Sequence, residues 1–185
     1  GGLLPDADVL IRSAQDPLLS LEFHRHFTHS LSFVPLGAAL AATLVWILLR
    51  RRVSWGELYI PSLVGWATHG LLDASTSYGT RLLWPFADLR VAWNWISIID
   101  PLFTVPLLCG CVLGARRLLS RPPRLALSIA AAYMILCTQQ HSRAVEALTE
   151  EVAARGHMEA TRLEAKPSLG NNVLFRCFYE LEGEF

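Results

Sequence analysis

Residues 31–49, LSFVPLGAALAATLVWILL, hold no charged side chain over 19 positions and run directly into Arg50, Arg51 and Arg52. As a helix rising about 1.5 Å per residue, the run extends roughly 28 Å, close to the hydrocarbon thickness of a bilayer. Such a segment has no polar stripe to show to water, so it must be buried in protein or in lipid. A transmembrane helix is the expectation. Composition points the same way: hydrophobic residues make up 52% of the 185 and charged residues 17%, against about 25% charged in soluble domains. The formal net charge is zero, so no global field favours nucleic acid, and none is expected as a partner.

Three further segments extend this reading. Residues 58–74 (LYIPSLVGWATHGLLDA) carry His69 and Asp73 near their far end. Residues 92–114 enclose Asp100 and Pro101, and residues 125–138 are apolar but short, so an in-plane or core helix would also suit them. Arg50 to Arg52 and the group Arg116, Arg117, Arg121 and Arg124 fall in alternate loops, which the positive-inside rule places in the cytoplasm. Residues 1–30, 75–91 and everything after 138 then face outward, with Trp84, Trp93 and Trp95 suited to an outer interface.

From Gln139 the pattern changes to an amphipathic helix with Val145, Leu148 and Val152 on one stripe, which Gly156 can end. TRLEA and VLFRCFYEL read as strands separated by the turn-rich KPSLGNN. The expected fold is therefore an all-α membrane bundle of about four transmembrane helices over residues 1–138, followed by the start of a small α+β extramembrane domain over 139–185. Gly1 is not an initiator Met and Phe185 falls in a strand-like pattern, so further residues are expected at both ends. Cys109, Cys111, Cys137 and Cys177 form no C-x-x-C pair, and neither a disulfide framework nor a zinc knuckle is expected.

Ligand-type residues concentrate in four places: Asp6 and Asp8 in LLPDAD, His24, His26 and His29 in HRHFTHS, His69 and Asp73 in HGLLD, and Asp100 in SIIDP. All four map to the outer side of the expected topology. His69 and Asp73, four residues apart on a helix, share one face. They can hold one ion together, the carboxylate can orient the imidazole, or the two can form a buried structural pair. Neutral imidazoles suit zinc, manganese or iron, and carboxylates add charge for a harder ion. An extended segment would aim Asp6 and Asp8 the same way, although capping or a turn explains D-x-D equally well. Asp100, roughly 13 Å into its helix, needs a partner: a metal, His69, an inward-folding Arg81 or Arg90, or the backbone at a helix break before Pro101. Without a G-x-S-x-G-like elbow, Ser30 is a poor nucleophile candidate.

Together, LLPDAD, HRHFTHS and HGLLDASTSYGTRLLWPF resemble the YdjM-like family of bacterial inner-membrane metal-dependent hydrolases, over roughly residues 1–108. The family pattern falls on His24, Thr28, His29 and Ser30, and on His69, Asp73, Gly79, Pro85 and Phe86, whereas His26 departs from it. The resemblance implies a multi-pass inner-membrane protein with its metal site on the periplasmic or outer side. One or two divalent ions, zinc first and manganese or another next, would be held by His24, His29, His69, Asp73 and one or both of Asp6 and Asp8. Asp8 or Asp100 would take a proton from water, and Arg81, or after it Arg25 or Arg90, would hold a phosphate. The implied substrate is a membrane-associated phosphoester, from a lipid or a lipid-linked small molecule. A non-enzymatic membrane protein that binds or transports a metal is the alternative.

Overall fold

A computed structural model describes residues 2–11 and 24–181. The chain divides into two compact units, Gly1–Trp93 and Asn94–Phe185.

The first unit opens with a 3₁₀ segment, Pro5–Leu10, and a single 3₁₀ turn, Phe27–His29, followed by helices α1 (Val34–Leu48) and α2 (Trp55–Ala74). Proline in the first turn of α1 loses no hydrogen bond, because that turn has no carbonyl to donate to. Ser54 and Glu57 start α2 with a reciprocal capping box. The two helices pack through small residues. Gly37, Ala38, Ala41 and Ala42 are buried on α1, and Ser62, Trp66, Gly70 and Ala74 recur every fourth residue on α2. A Cβ on Gly37 would lie 2.3 Å from the Trp66 ring, so the indole occupies the space that glycine leaves. The chain then returns across the end of α2. Trp93 donates its amide to the Ala74 carbonyl at 2.8 Å, and Leu31 donates to Leu82 at 2.9 Å.

The second unit holds α3 (Pro101–Arg117), α4 (Arg121–Ala154) and the antiparallel pair β1 (Arg162–Pro167) and β2 (Phe175–Glu180), in register from Arg162 opposite Glu180 to Pro167 opposite Phe175. Asp100 caps α3, accepting from the amides of Leu102 and Phe103. Close approach of α3 to α4 rests on Gly110, where a Cβ would sit 2.3 Å from that of Ala126.

The four-span membrane bundle is not what the described residues build: none of their helices is both long and apolar enough to cross a membrane. Each expected span fails for its own reason. Residues 31–33 form turns, which leaves α1 with 15 residues, roughly 22 Å by helical rise. Helix α2 reaches 20 residues but includes Glu57, His69 and Asp73. Residues 92–100 are not helical, so α3 starts at Pro101 and has 17 residues. The fourth segment and the expected soluble helix are one 34-residue helix, because no helix breaker falls between them. The outward placement of the site was deduced from alternating crossings, and it loses its basis with them. The expected boundary at 138/139 lies inside α4, whereas the expected strands appear as β1 and β2. Residues 12–23 of the first polar stretch, and 182–185 at the end, lie outside the described residues.

Candidate metal centre

Three elements of the first unit supply a convergent set of donors. The 3₁₀ segment brings Asp6, the 3₁₀ turn brings His29, and the last turns of α2 bring His69 and Asp73. One ligand atom from each of these four residues lies within 4.8 Å of all the others. His29 Nε2 is 3.1 Å from His69 Nε2, 3.1 Å from Asp73 Oδ2 and 3.5 Å from Asp6 Oδ1. His69 Nε2 is 3.3 Å from Asp6 Oδ1 and 3.5 Å from Asp73 Oδ2. A tetrahedron with metal–ligand bonds near 2.0–2.1 Å has edges of about 3.3–3.4 Å. Five of the six donor–donor separations, at 3.1–3.5 Å, are close to that spacing.

Asp8 faces another way. Residues two apart on a 3₁₀ helix lie about 240° around its axis, so Asp6 and Asp8 diverge where an extended segment would have aligned them. The Asp8 side chain is fully buried. One oxygen lies 3.1 Å from His24 Nδ1, and the other accepts from the Arg25 amide at 2.8 Å and from Thr28 Oγ1 at 3.1 Å. That second oxygen is also 3.3 Å from His29 Nδ1, opposite the nitrogen that faces the donor group. Burial works to raise the Asp8 carboxyl, but contacts with His29, the Arg25 amide and His24 outweigh it and hold the group at about 2. Asp8 is thus an anion that fixes the His29 ring, the usual arrangement behind a metal-bound imidazole.

Two observations test whether the group suits a cation. Asp73 Oδ2 is buried and makes no hydrogen bond of acceptable geometry, although Arg25 Nε lies 3.3 Å away. Asp73 also sits in the last turn of α2, where the helix dipole disfavours negative charge, and that turn has no basic residue of its own. A carboxylate there is compensated only by positive charge from elsewhere. In the metal-free protein a proton supplies part of it. Burial pulls the His29 imidazole down, but Asp73 and Asp8 on its two sides raise it to about 9. Burial likewise pushes Asp73 up, but the His29 contact and the Arg25 charge lower it on balance. Two imidazoles and two carboxylates around one point offer a divalent metal ion four donors.

Several supporting residues were not legible as such in sequence. A Cβ on Gly70 would lie 2.6 Å from the His29 carbonyl oxygen, so glycine beside His69 lets the His29 turn approach α2. Trp66 Nε1 donates to the Thr28 carbonyl at 2.8 Å and pins the same turn. Arg25 has a left-handed backbone (φ 57°), which presents its amide to Asp8, and its Nη1 donates to Thr76 Oγ1 at 2.9 Å. The one available signal was HG at the start of HGLLD, a glycine inside a helical pattern.

The other expected site residues are not among these four donors. His24 meets Asp8 and packs edge-on against Tyr78, outside the four-atom group. His26 packs against Phe27 and Trp84. Arg81 Nη1 pairs with Asp88 at 3.0 Å, and its amide donates to the Arg25 carbonyl. Asp100 belongs to the second unit, where Tyr133 donates to it at 2.8 Å.

Among known proteins, the chain is similar to the uncharacterized protein YfhP of Bacillus subtilis (strain 168), 26% identical over 101 residues. That match covers 55% of this chain and 30% of YfhP. No solved structure matches. Residues 1–144 match the family described as YdjM inner membrane protein, a span that includes both 3₁₀ elements, α1, α2 and every donor of the metal group. The chain belongs to the YdjM inner membrane protein family.

Proposed function

We propose that the protein is a metal-dependent hydrolase of the inner membrane, with one divalent ion held by Asp6, His29, His69 and Asp73. The convergence of those four donor atoms within 4.8 Å carries the reading. A bound ion would supply Lewis acidity, activating water and polarising the scissile group.

The chain's own residues divide the remaining work by exposure. His29 is fully buried, His69 and Asp73 are partly exposed, and the Asp6 side chain remains 46% exposed. Water and substrate therefore approach past Asp6, and its carboxylate is the group placed to accept a proton from the attacking water. Asp8, enclosed by its partners, orients His29 and does not reach the substrate side. Asp100, capped and paired in the other unit, is assigned no proton transfer. Arg25, beside Asp73, adds positive charge next to the group, which favours an anionic substrate. With the family's membrane setting, a phosphoester of a lipid or lipid-linked compound is the proposed substrate class.

Four protein donors can also close a tetrahedral site, as structural zinc sites do. That favours the second reading, a membrane protein that binds metal without turnover. Metal analysis of the detergent-purified chain, followed by turnover assays on phosphoesters, carboxylic esters and amides with added zinc or manganese, separates the two. The hydrolase reading expects about one ion per chain and phosphoester turnover that chelator abolishes and metal restores. One tightly held ion with no turnover on any of the three classes supports the second reading. Phosphoester turnover insensitive to chelator contradicts both.

A further inference from the structure

Arg25 is held beside the metal group from several sides. Its backbone is left-handed, its amide donates to Asp8 at 2.8 Å, and its carbonyl accepts from the Arg81 amide at 3.1 Å. Its Nη1 donates to Thr76 Oγ1 at 2.9 Å, and its guanidinium lies over the Tyr78 ring, 4.9 Å from the centroid. The buried Nε faces Asp73 Oδ2 at 3.3 Å, and neither atom makes a hydrogen bond of acceptable geometry. Two opposite charges therefore touch without satisfying each other, and each keeps a bonding position for something else. The oxygen suits the ion. The nitrogen suits an anion that arrives with it, and a guanidinium already fixed in place loses little further freedom on binding one.

Charge decides which anion. A divalent ion cancels the carboxylates of Asp6 and Asp73, and His29 and His69 are neutral as its ligands. Asp73 then no longer needs Arg25 as its counter-ion, so one positive charge remains beside the ion. Arg81 is paired with Asp88 at 3.0 Å, and Asp8, behind His29, is itself an anion. At the open side stands Asp6, which offers a carboxylate oxygen and no cation. A phosphodiester carries one negative charge near neutral pH, whereas a terminal phosphate carries about 1.5–2. The second charge of a monoester would be desolvated here without a partner, and an unpaired charge in a partly buried site is costly.

We propose that the site selects a phosphodiester over a phosphomonoester, with Arg25 as the side chain that meets the phosphate. The proposal rests on the metal-dependent reading above and narrows its substrate class. It also gives Arg25 two partners in turn: Asp73 before the ion binds, and the phosphate after.

The test uses the full chain, purified in detergent and loaded with cobalt, and reads binding instead of turnover. Dimethyl phosphate and methyl phosphate differ by one methyl group and one charge at about pH 8, well above the second phosphate ionisation at about 6. Their dissociation constants are read from the broadening of phosphorus NMR lines by the cobalt, and the same spectra show that each probe stays intact. Dimethyl phosphate is expected to bind several-fold tighter than methyl phosphate. Arg25→Gln is expected to keep its cobalt and to weaken dimethyl phosphate about tenfold or more, the scale of a lost charged hydrogen bond. Arg25→Lys, which keeps the charge but not the planar fork, should recover part of that loss. Dihexanoyl phosphatidylglycerol, measured beside dimethyl phosphate, names the source. Tighter binding points to a lipid diester and equal binding to a soluble one, and either supports the proposal when it exceeds that of methyl phosphate. Methyl phosphate bound as tightly as the diesters overturns the proposal, as does wild-type affinity for dimethyl phosphate in both Arg25 variants. Cobalt loss from both variants also overturns it, because Arg25 is then part of the metal scaffold. A wild-type chain that holds no cobalt defeats the metal reading itself and this proposal with it, an outcome distinct from all the others.

Discussion

Each unit of this chain buries a cluster of ligand-type side chains, and the two clusters differ in who supplies the protons. In the second unit Asp100 accepts from two backbone amides and from Tyr133, and Asn172 donates to the Cys137 thiol at 3.2 Å. Burial and the Asp100 contact push the Tyr133 phenol well above its ordinary range, so it stays a donor at every relevant pH. Each acceptor there has its donor. In the first unit two carboxylates and two imidazoles face one another, and a buried oxygen of Asp73 has no hydrogen bond. Burial of an aspartate says little by itself, since both units bury one. The difference lies in whether the chain supplies its own counter-charge or leaves that to a proton or an ion.

The largest effect that would break this contrast is ligand loss. His69→Ala removes one of four donors, and metal affinity is expected to drop by more than the roughly 10–100-fold seen when only an outer partner is lost. The protein should remain folded in chelator, because His69 lies at the edge of its unit. Retained stoichiometric metal, measured by elemental analysis, would sink the assignment.

Next in size is the mirror experiment in the second unit. Asp100→Ala removes a helix cap, worth about 0.5–2 kcal/mol, and takes the acceptor from the part-buried Tyr133 hydroxyl, a further ~0.5–1.5 kcal/mol. Denaturant melts should show a loss of about 1–3.5 kcal/mol with metal content unchanged. Metal loss without destabilisation would mean that the two clusters are not the opposites drawn here.

Asp8→Asn sharpens the comparison inside the first unit. As the anion behind His29, its neutralisation is expected to cost about 10–100-fold in metal affinity while leaving all four donors in place. Spectroscopy of a cobalt-substituted sample should then show an altered but still four-donor site. Complete loss of the site would instead make Asp8 a ligand.

The smallest effect is that of a single pH unit, and its sign differs between the two states. Metal-free His29 is raised to about 9, so the stability it contributes is complete below about 6.5 and is lost as pH rises through about 9. Thermal melts in chelator should therefore decline over that range. Metal binding must expel this proton, so affinity should rise by up to about tenfold per pH unit over the same interval. Calorimetry in buffers of different ionisation enthalpy should detect about one proton released per ion near neutral pH. A flat profile from pH 6.5 to 9 would show that His29 is already neutral before metal arrives.

What the sequence alone determined was largely local. The i, i+4 spacing of His69 and Asp73 put both on one helical face, and D-x-D and H-x-H-x-x-H marked the other two donors and the Asp8 behind His29. The amphipathic stripe and the two strands near the end were likewise visible, because periodicity survives in any tertiary context. Helix ends decided the rest of the fold. An apolar run read as a bilayer-length span became 15 helical residues, and two expected helices became one of 34. Capping and turn bonds set those limits, and composition does not encode them. Only the tertiary structure separated Asp6 from Asp8, because a 3₁₀ segment and an extended one send their side chains in different directions. It alone gave Asp100 a tyrosine 33 residues away, and it alone showed that Gly70 makes room for the His29 carbonyl. Those facts are distances between segments remote in sequence, and a local pattern carries no information about what packs against it.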